Sequence, residues 1–147
     1  MTHVAQAVAL VAALASLAAG VLGAWRWWRV EPSPAFWVLC RLSQALLVVQ
    51  AVVAGVLAAA GFDPADGLYW LYALLPIAVS FVAEQLRVTS AEAVLDDAGL
   101  ESARAVGDLD ESRQRSVVLA IVRREMGVMT ASAFVVAFLA LRAWGTA

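Results

Sequence analysis

Four long apolar runs, at residues 4–24, 35–60, 68–88 and 117–143, constrain this chain more than anything else in it. Each is close to or beyond the ~20 residues a helix needs to cross about 30 Å of hydrocarbon. Within lipid, a helix satisfies every backbone hydrogen bond internally. The expected fold is all-α: a polytopic four-transmembrane-helix bundle with a short helical cytoplasmic insert at 89–116, the whole of 1–147 forming one membrane domain. Composition agrees, because with 63% of residues apolar and 15% charged the chain has too little polar surface to cover a water-soluble globule.

The breaks between runs are sharp. Trp25-Arg26-Trp27-Trp28-Arg29 precedes Pro32 and Pro34, and Gly61-Phe62-Asp63-Pro64-Ala65-Asp66-Gly67 forms the second break. The fourth run is strongly apolar from Met126, and its 116–122 stretch is apolar enough to lie at the interface ahead of Arg123 and Arg124. The first run follows Met1-Thr2-His3, which has no Arg or Lys, and it is long enough to span, so it reads as a retained helix and not as a secretory leader.

Charge sets the expected orientation. Arg26 and Arg29 lie between runs one and two, and Arg87, Arg104, Arg113, Arg115, Arg123 and Arg124 border or fill the link between runs three and four. The 61–67 turn carries Asp63 and Asp66, and the tails add only Arg142. The positive-inside rule then predicts a multi-pass protein of the cell (inner) membrane with both termini outside the cytoplasm. Trp25, Trp27 and Trp28 become an inner interfacial anchor, and Tyr69, Trp70 and Tyr72 an outer one.

Several chemistries are excluded early. The single cysteine, Cys40, cannot form an intramolecular disulfide, and the single histidine, His3, rules out a His-rich metal site or a bis-histidine haem site within one chain. All ten basic residues are Arg, which together with abundant Ala and Val fits a GC-rich gene. No phosphate-cradling glycine loop or metal-ligand spacing is present, so no cofactor and no metal is expected.

In lipid, helices associate through small residues and interhelical hydrogen bonds. Ala12, Ser16, Gly20 and Ala24 recur every four residues in run one; Ala51, Gly55 and Ala59 do so in run two; Gly127 and Ala131 follow in run four. Ser16, Gly20, Gly55 and Gly127 are therefore the expected packing residues. Pro76 removes a backbone donor in mid-helix, and Gln50, near the bilayer centre, is expected to make a helix–helix hydrogen bond.

Ionisable groups inside spans are costly and mark candidate sites. At ~100° per residue, Arg41 and Gln44 share a face with Ala51, Gly55 and Ala59, while Tyr69, Tyr72, Pro76, Ser80, Glu84 and Arg87 fall within about 120° of one another. Arg41 lies about 9 Å and Glu84 about 6 Å from the arginine-rich ends of their runs. Arg123, Arg124 and Glu125 open run four at a similar level. The candidate site is thus an inner-leaflet polar cluster of Arg41, Gln44, Ser80, Glu84, Arg87, Arg124 and Glu125. A plainer reading has Arg41 snorkelling, Glu84 and Arg87 forming an i,i+3 pair, and the triplet marking the interface.

Residues 89–116 carry seven acidic side chains against three arginines, a balance that repels anionic lipid and nucleic acid alike. The segment reads as short helices: Ser90 as an N-cap, Gly99 as a stop, a short piece ending at Gly107, and Asp110 capping a helix that runs into the fourth span. Val94, Leu95, Leu100, Ala103, Val106 and Leu109 form an apolar seam too small to fold alone. It must lean on the bundle, a second copy or another protein.

With the strips Phe81-Val82-Ala83-Glu84-Gln85-Leu86-Arg87 and Arg123-Arg124-Glu125-Met126-Gly127-Val128-Met129, residues 35–143 resemble small four-span integral membrane proteins of GC-rich bacteria, a group that implies no activity. Small four-span multidrug transporters also use a membrane-embedded Glu, but they are shorter and lack the insert. The expected function is a non-catalytic accessory or assembly subunit in a homo-oligomer or hetero-complex, with a cytosolic or membrane protein partner at 89–116. The alternative is a homo-oligomeric transporter or channel for a small solute or cation, with Glu84 as the coupling carboxylate and Arg41 as its counter-charge. A lipid-acting enzyme with Glu84 or Glu125 as base ranks third.

Overall fold

In a computed structural model describing residues 1–147, the chain forms α1 (Thr2–Arg29), α2 (Pro34–Ala59), α3 (Tyr69–Asp97) and α4 (Glu111–Thr146), with a 3-10 turn at Ala103–Asp108. There is no strand, and all four helices are long and apolar enough to cross a membrane. The protein is an all-α, multi-pass four-helix bundle.

Local chemistry sets the helix ends. α1 runs through the Trp25–Arg29 strip and closes on Val30, which takes a left-handed φ of 52° while Glu31 N–H donates to the Arg26 carbonyl at 3.1 Å. A β-branched residue there is strained. Ser33 then caps α2, its hydroxyl accepting the Phe36 N–H at 3.3 Å, with Pro34 as the first helical residue, where its missing N–H costs nothing. Gly61, at φ 75°, ends α2. In the next turn, Asp66 N–H donates to the Thr146 carbonyl at 3.1 Å, tying this turn to the C-terminal end of α4.

Around the bundle the order is α2, α1, α4, α3. α4 packs along both α1 and α3, whereas the seam between α2 and α3 is the thinnest. Small residues fill the centre: Ala5, Ala9, Ala12, Ala13, Ser16 and Ala19 of α1 are all buried. Large apolar side chains such as Val21, Val52, Phe81 and Phe138 point outward. That is the reverse of a water-soluble core. It is what lipid permits, since close backbone approach, not removal of apolar area from water, holds these helices together.

Three core layers stack along the bundle. Phe62, Tyr69, Ala73 and Ala143 lie at the end bearing the termini; Ala12, Leu47, Val136 and Ala140 lie in the middle; Phe36, Cys40, Met126 and Met129 lie toward the arginine-rich end. Cys40 is a buried free thiol that packs in the last of these. Tyr69 is also core, edge-on to Phe62 and Trp70.

The link between α3 and α4 departs from the sequence reading. Ser90 caps nothing, because α3 continues to Asp97. No Gly or Pro interrupts the chain between Pro76 and Gly99, and Thr89 turns its hydroxyl back to the Gln85 carbonyl at 3.1 Å, which is compatible with a continuing helix. Gly99 does end it, at φ 71°. Asp110 caps α4, accepting the Arg113 N–H at 3.2 Å, and α4 then runs for 36 residues, about 54 Å and well beyond the hydrocarbon. Between these overhanging ends, Val94, Val106 and Val117 form a fourth apolar layer with Leu95, Leu100 and Leu109. The 89–116 segment thus leans on its own α3 and α4.

Candidate functional site

The first turns of α2 at the arginine-rich end set Arg41 and Gln44 one turn apart, and the facing stretch of α3 sets Ser80, Glu84 and Arg87 along one stripe. The α3 stripe turns inward: Tyr69, Ala73, Pro76 and Ala83 are buried, and Ser80, Glu84 and Arg87 are half-buried. Glu84 is the hub. Its Oε1 accepts from Arg41 Nη1 at 2.7 Å and from Gln44 Nε2 at 2.8 Å, and its Oε2 accepts from Arg87 Nε at 3.0 Å. Arg41 also donates to Gln44 Oε1 at 2.6 Å.

Arg87 extends the network to α4. Its Nη1 lies 3.9 Å from Glu125 Oε1, and its guanidinium stands over the Trp37 ring at 5.4 Å, a cation–π contact. Two arginines and two carboxylates therefore neutralise one another across three helices. The Glu84 side chain is 22% exposed and that of Arg41 57%, so the network straddles the interior and the headgroup region. Where the network is withdrawn from water its pairing repays part of the desolvation cost, and removing one partner would leave an uncompensated charge. It also spans the thin α2–α3 seam.

Of the other candidate residues, Ser80 bonds none of these groups but lines two recesses beside them. One is a cavity of about 20 Å³ between α1, α2, α3 and α4, with Ser43, Gln44 and Ser132, room for a single water. The other is a groove of about 220 Å³ at the α2–α3 seam, with Gln44 and Glu84. Arg124 stands apart, half-exposed, 3.5 Å from Asp97 at the end of α3.

The packing residues divide similarly. Ser16 is buried, donates to the Ala12 carbonyl and bonds the Ser43 hydroxyl of α2 at 2.6 Å. A Cβ on Gly20 would stand 3.0 Å from the Phe134 ring, and one on Gly127 would stand 3.0 Å from Trp27 Nε1. Gly55 is a correction: it is exposed, with nothing within 4 Å of where its Cβ would stand, and Ala59 and Ala131 are exposed too. α2 instead turns Leu47, Gln50, Ala54 and Leu57 inward. That ladder lies on the outer surface of the bundle.

Gly23 is a packing residue beyond the expected four: a Cβ there would strike the Thr130 hydroxyl and the Phe36 ring. Its signal was available, since it continues the buried face of Ser16, Ala19 and Gly20. Trp37 also belongs to the site, but its cation–π partner Arg87 lies on α3, so no spacing within α2 points to the pair. No local pattern points to Asp97 as the partner of Arg124. No group of three or more metal-ligating side chains converges anywhere. Compared with protein-family models, curated proteins and solved structures, the chain matches none.

Proposed function

We propose that this protein is a non-catalytic accessory or assembly subunit of a membrane complex. The observation that carries the reading is the engagement of Glu84: all three of its donors are the protein's own, and both of its carboxylate oxygens are occupied by Arg41, Gln44 and Arg87. Such a network fastens helices. The partner-facing element of this reading is the 89–116 segment. Glu92, Asp96, Glu101, Asp108 and Glu111 are exposed there on a base held by Val94, Val106 and Val117, an acidic surface suited to a basic partner and unsuited to nucleic acid. The arginine bias supports placing this end in the cytoplasm and both termini outside, in the cell (inner) membrane.

The test is native mass spectrometry on gently extracted protein. The tag belongs on the N-terminus, where Met1 is exposed, because Ala147 is buried against the 61–67 turn. Other proteins in fixed ratio are expected, and Glu92→Arg with Glu101→Arg and Asp108→Arg should release them. Charge reversal is preferable to deletion, since removing the segment would take Val94 and Val106 from the fourth layer. A homo-oligomer alone would overturn the reading.

One observation favours a second reading, a homo-oligomeric small-solute or cation transporter: the α2–α3 groove reaches Glu84 past Gln44 and Ser80. Flux in liposomes that survives Glu84→Gln would remove it.

A further inference from the structure

The largest recess on the molecule is an apolar groove of about 520 Å³ between α3 and α4, away from the Glu84 cluster. Leu75, Val82 and Leu86 of α3 and Val128, Ala131 and Val135 of α4 wall it. From Leu75 to Leu86 it runs roughly 16 Å at 1.5 Å per residue. That is half of the ~30 Å hydrocarbon core, the depth of one leaflet. A crossing helix from a partner would need a seam through both leaflets.

The groove ends at charge. At ~100° per residue, Arg124 lies on the α4 face that carries Val128, Ala131 and Val135, one turn beyond the groove toward the arginine-rich end. It is 51% exposed, and its contact with Asp97 is long at 3.5 Å, with Asp97 itself 73% exposed, a pairing that a better anion displaces. Arg123 has no carboxylate partner, and its guanidinium stands 5.6 Å over the Trp27 ring. Arg123 and Arg124 share a second recess, of about 410 Å³, with Trp27 and Gly127. Two adjacent guanidiniums beside an indole, one turn beyond a leaflet-deep apolar groove, match the parts of one lipid.

We infer that this surface is a binding site for a single anionic phospholipid, its phosphate held by Arg123 and Arg124 and one acyl chain lying in the α3–α4 groove. Arginine suits the phosphate because its planar fork donates two parallel hydrogen bonds. The trans-bilayer charge bias places the site in the leaflet where anionic lipids concentrate. The site does not depend on whether the protein serves a larger complex, and the Arg41–Glu84 network takes no part in it.

The experiment uses full-length protein delipidated in detergent, titrated with dioleoylphosphatidylglycerol or dioleoylphosphatidylcholine, and read by native mass spectrometry and thermal unfolding. One phosphatidylglycerol should bind about tenfold tighter than phosphatidylcholine, on the order expected for one to two phosphate-facing arginines. Arg123→Gln with Arg124→Gln should erase that preference without changing unfolding of the lipid-free protein, and the corresponding Lys pair should keep most of it. Val82→Trp with Val135→Trp, which fills the groove, should weaken both lipids, whereas Val52→Trp with Val56→Trp on the outer face of α2 should weaken neither. Equal affinity for the two lipids, or a preference that survives the double Gln variant, overturns the inference. So does a groove-filled variant that changes the number of protomers while leaving lipid binding intact, because the groove would then seat a second copy.

Discussion

Gln50 of α2 donates its side-chain amide to the backbone carbonyl of Ala73 on α3 at 3.1 Å, three residues before the buried Pro76. Proline lacks the N–H that would serve the Tyr72 carbonyl one residue earlier, so backbone acceptors in this turn are short of donors, and a neighbouring side chain supplies one. The Gln50 Oε1 is buried with no partner. Replacement by Leu removes a useful donor and an orphaned acceptor together, and should cost only about 0.6 kcal/mol. If the bond serves the proline turn, Gln50→Leu and Pro76→Ala should couple by about 0.5–1 kcal/mol in a double-mutant cycle. Detergent-titrated unfolding measures it, and strict additivity would sever the link.

The Glu84 network predicts an order of losses. Arg87 is 26% exposed and holds two carboxylates, so Arg87→Gln leaves Glu84 and Glu125 partly uncompensated in the interior. Arg87→Gln and Glu84→Gln should each cost about 1.5–3 kcal/mol, the range for hydrogen bonds to charged groups. Arg41 is more exposed, and Arg41→Gln should cost under about 1 kcal/mol. Equal losses at Arg41 and Arg87 in reversible unfolding would contradict this ranking.

Glycines of similar appearance should respond oppositely. Gly23→Ala drives a methyl into Thr130 and Phe36, neither of which can retreat from a packed core, and should cost about 1–3 kcal/mol. Gly20→Ala meets a ring edge belonging to the partly exposed Phe134 and should cost less. Gly55→Ala meets nothing and should be neutral or slightly stabilising, as expected for removing a helical glycine. Unfolding of the three variants side by side settles the order.

Asp110 sits outside the spanning segments, and its carboxylate is held below the usual aspartate range by hydrogen bonds from the Ser112 hydroxyl and the Arg113 N–H. Because the folded value is depressed, the cap is intact above the ordinary aspartate range and is lost as pH falls through the lower folded value. Hydrogen exchange at the first turn of α4 should accelerate relative to its intrinsic rate in acid, and Asp110→Ala should show that faster exchange at neutral pH. Unchanged protection of the Arg113 amide in the variant would refute the cap's role.

Much of the architecture was legible in the residues. Apolar run length specifies the four spans, because backbone bonds in lipid leave a helix as its own partner. Asp110 and Gly99 announced themselves as cap and stop, since both act within a turn of their own position. That Glu84 and Arg87 share one stripe of α3 followed from helical spacing alone.

Tertiary structure decided what spacing cannot: which face of a helix meets a neighbour. In water the apolar face must turn inward, but lipid is as apolar as leucine, so the ladders of Gly20 and Gly55 look alike until α1 meets α4 and α2 turns its Gly55 face outward. For the same reason only the assembled bundle could join Arg124 to Asp97, leave Arg123 without a carboxylate, and open a leaflet-deep groove between α3 and α4. These depend on helices distant in sequence, and no periodicity within one helix encodes them.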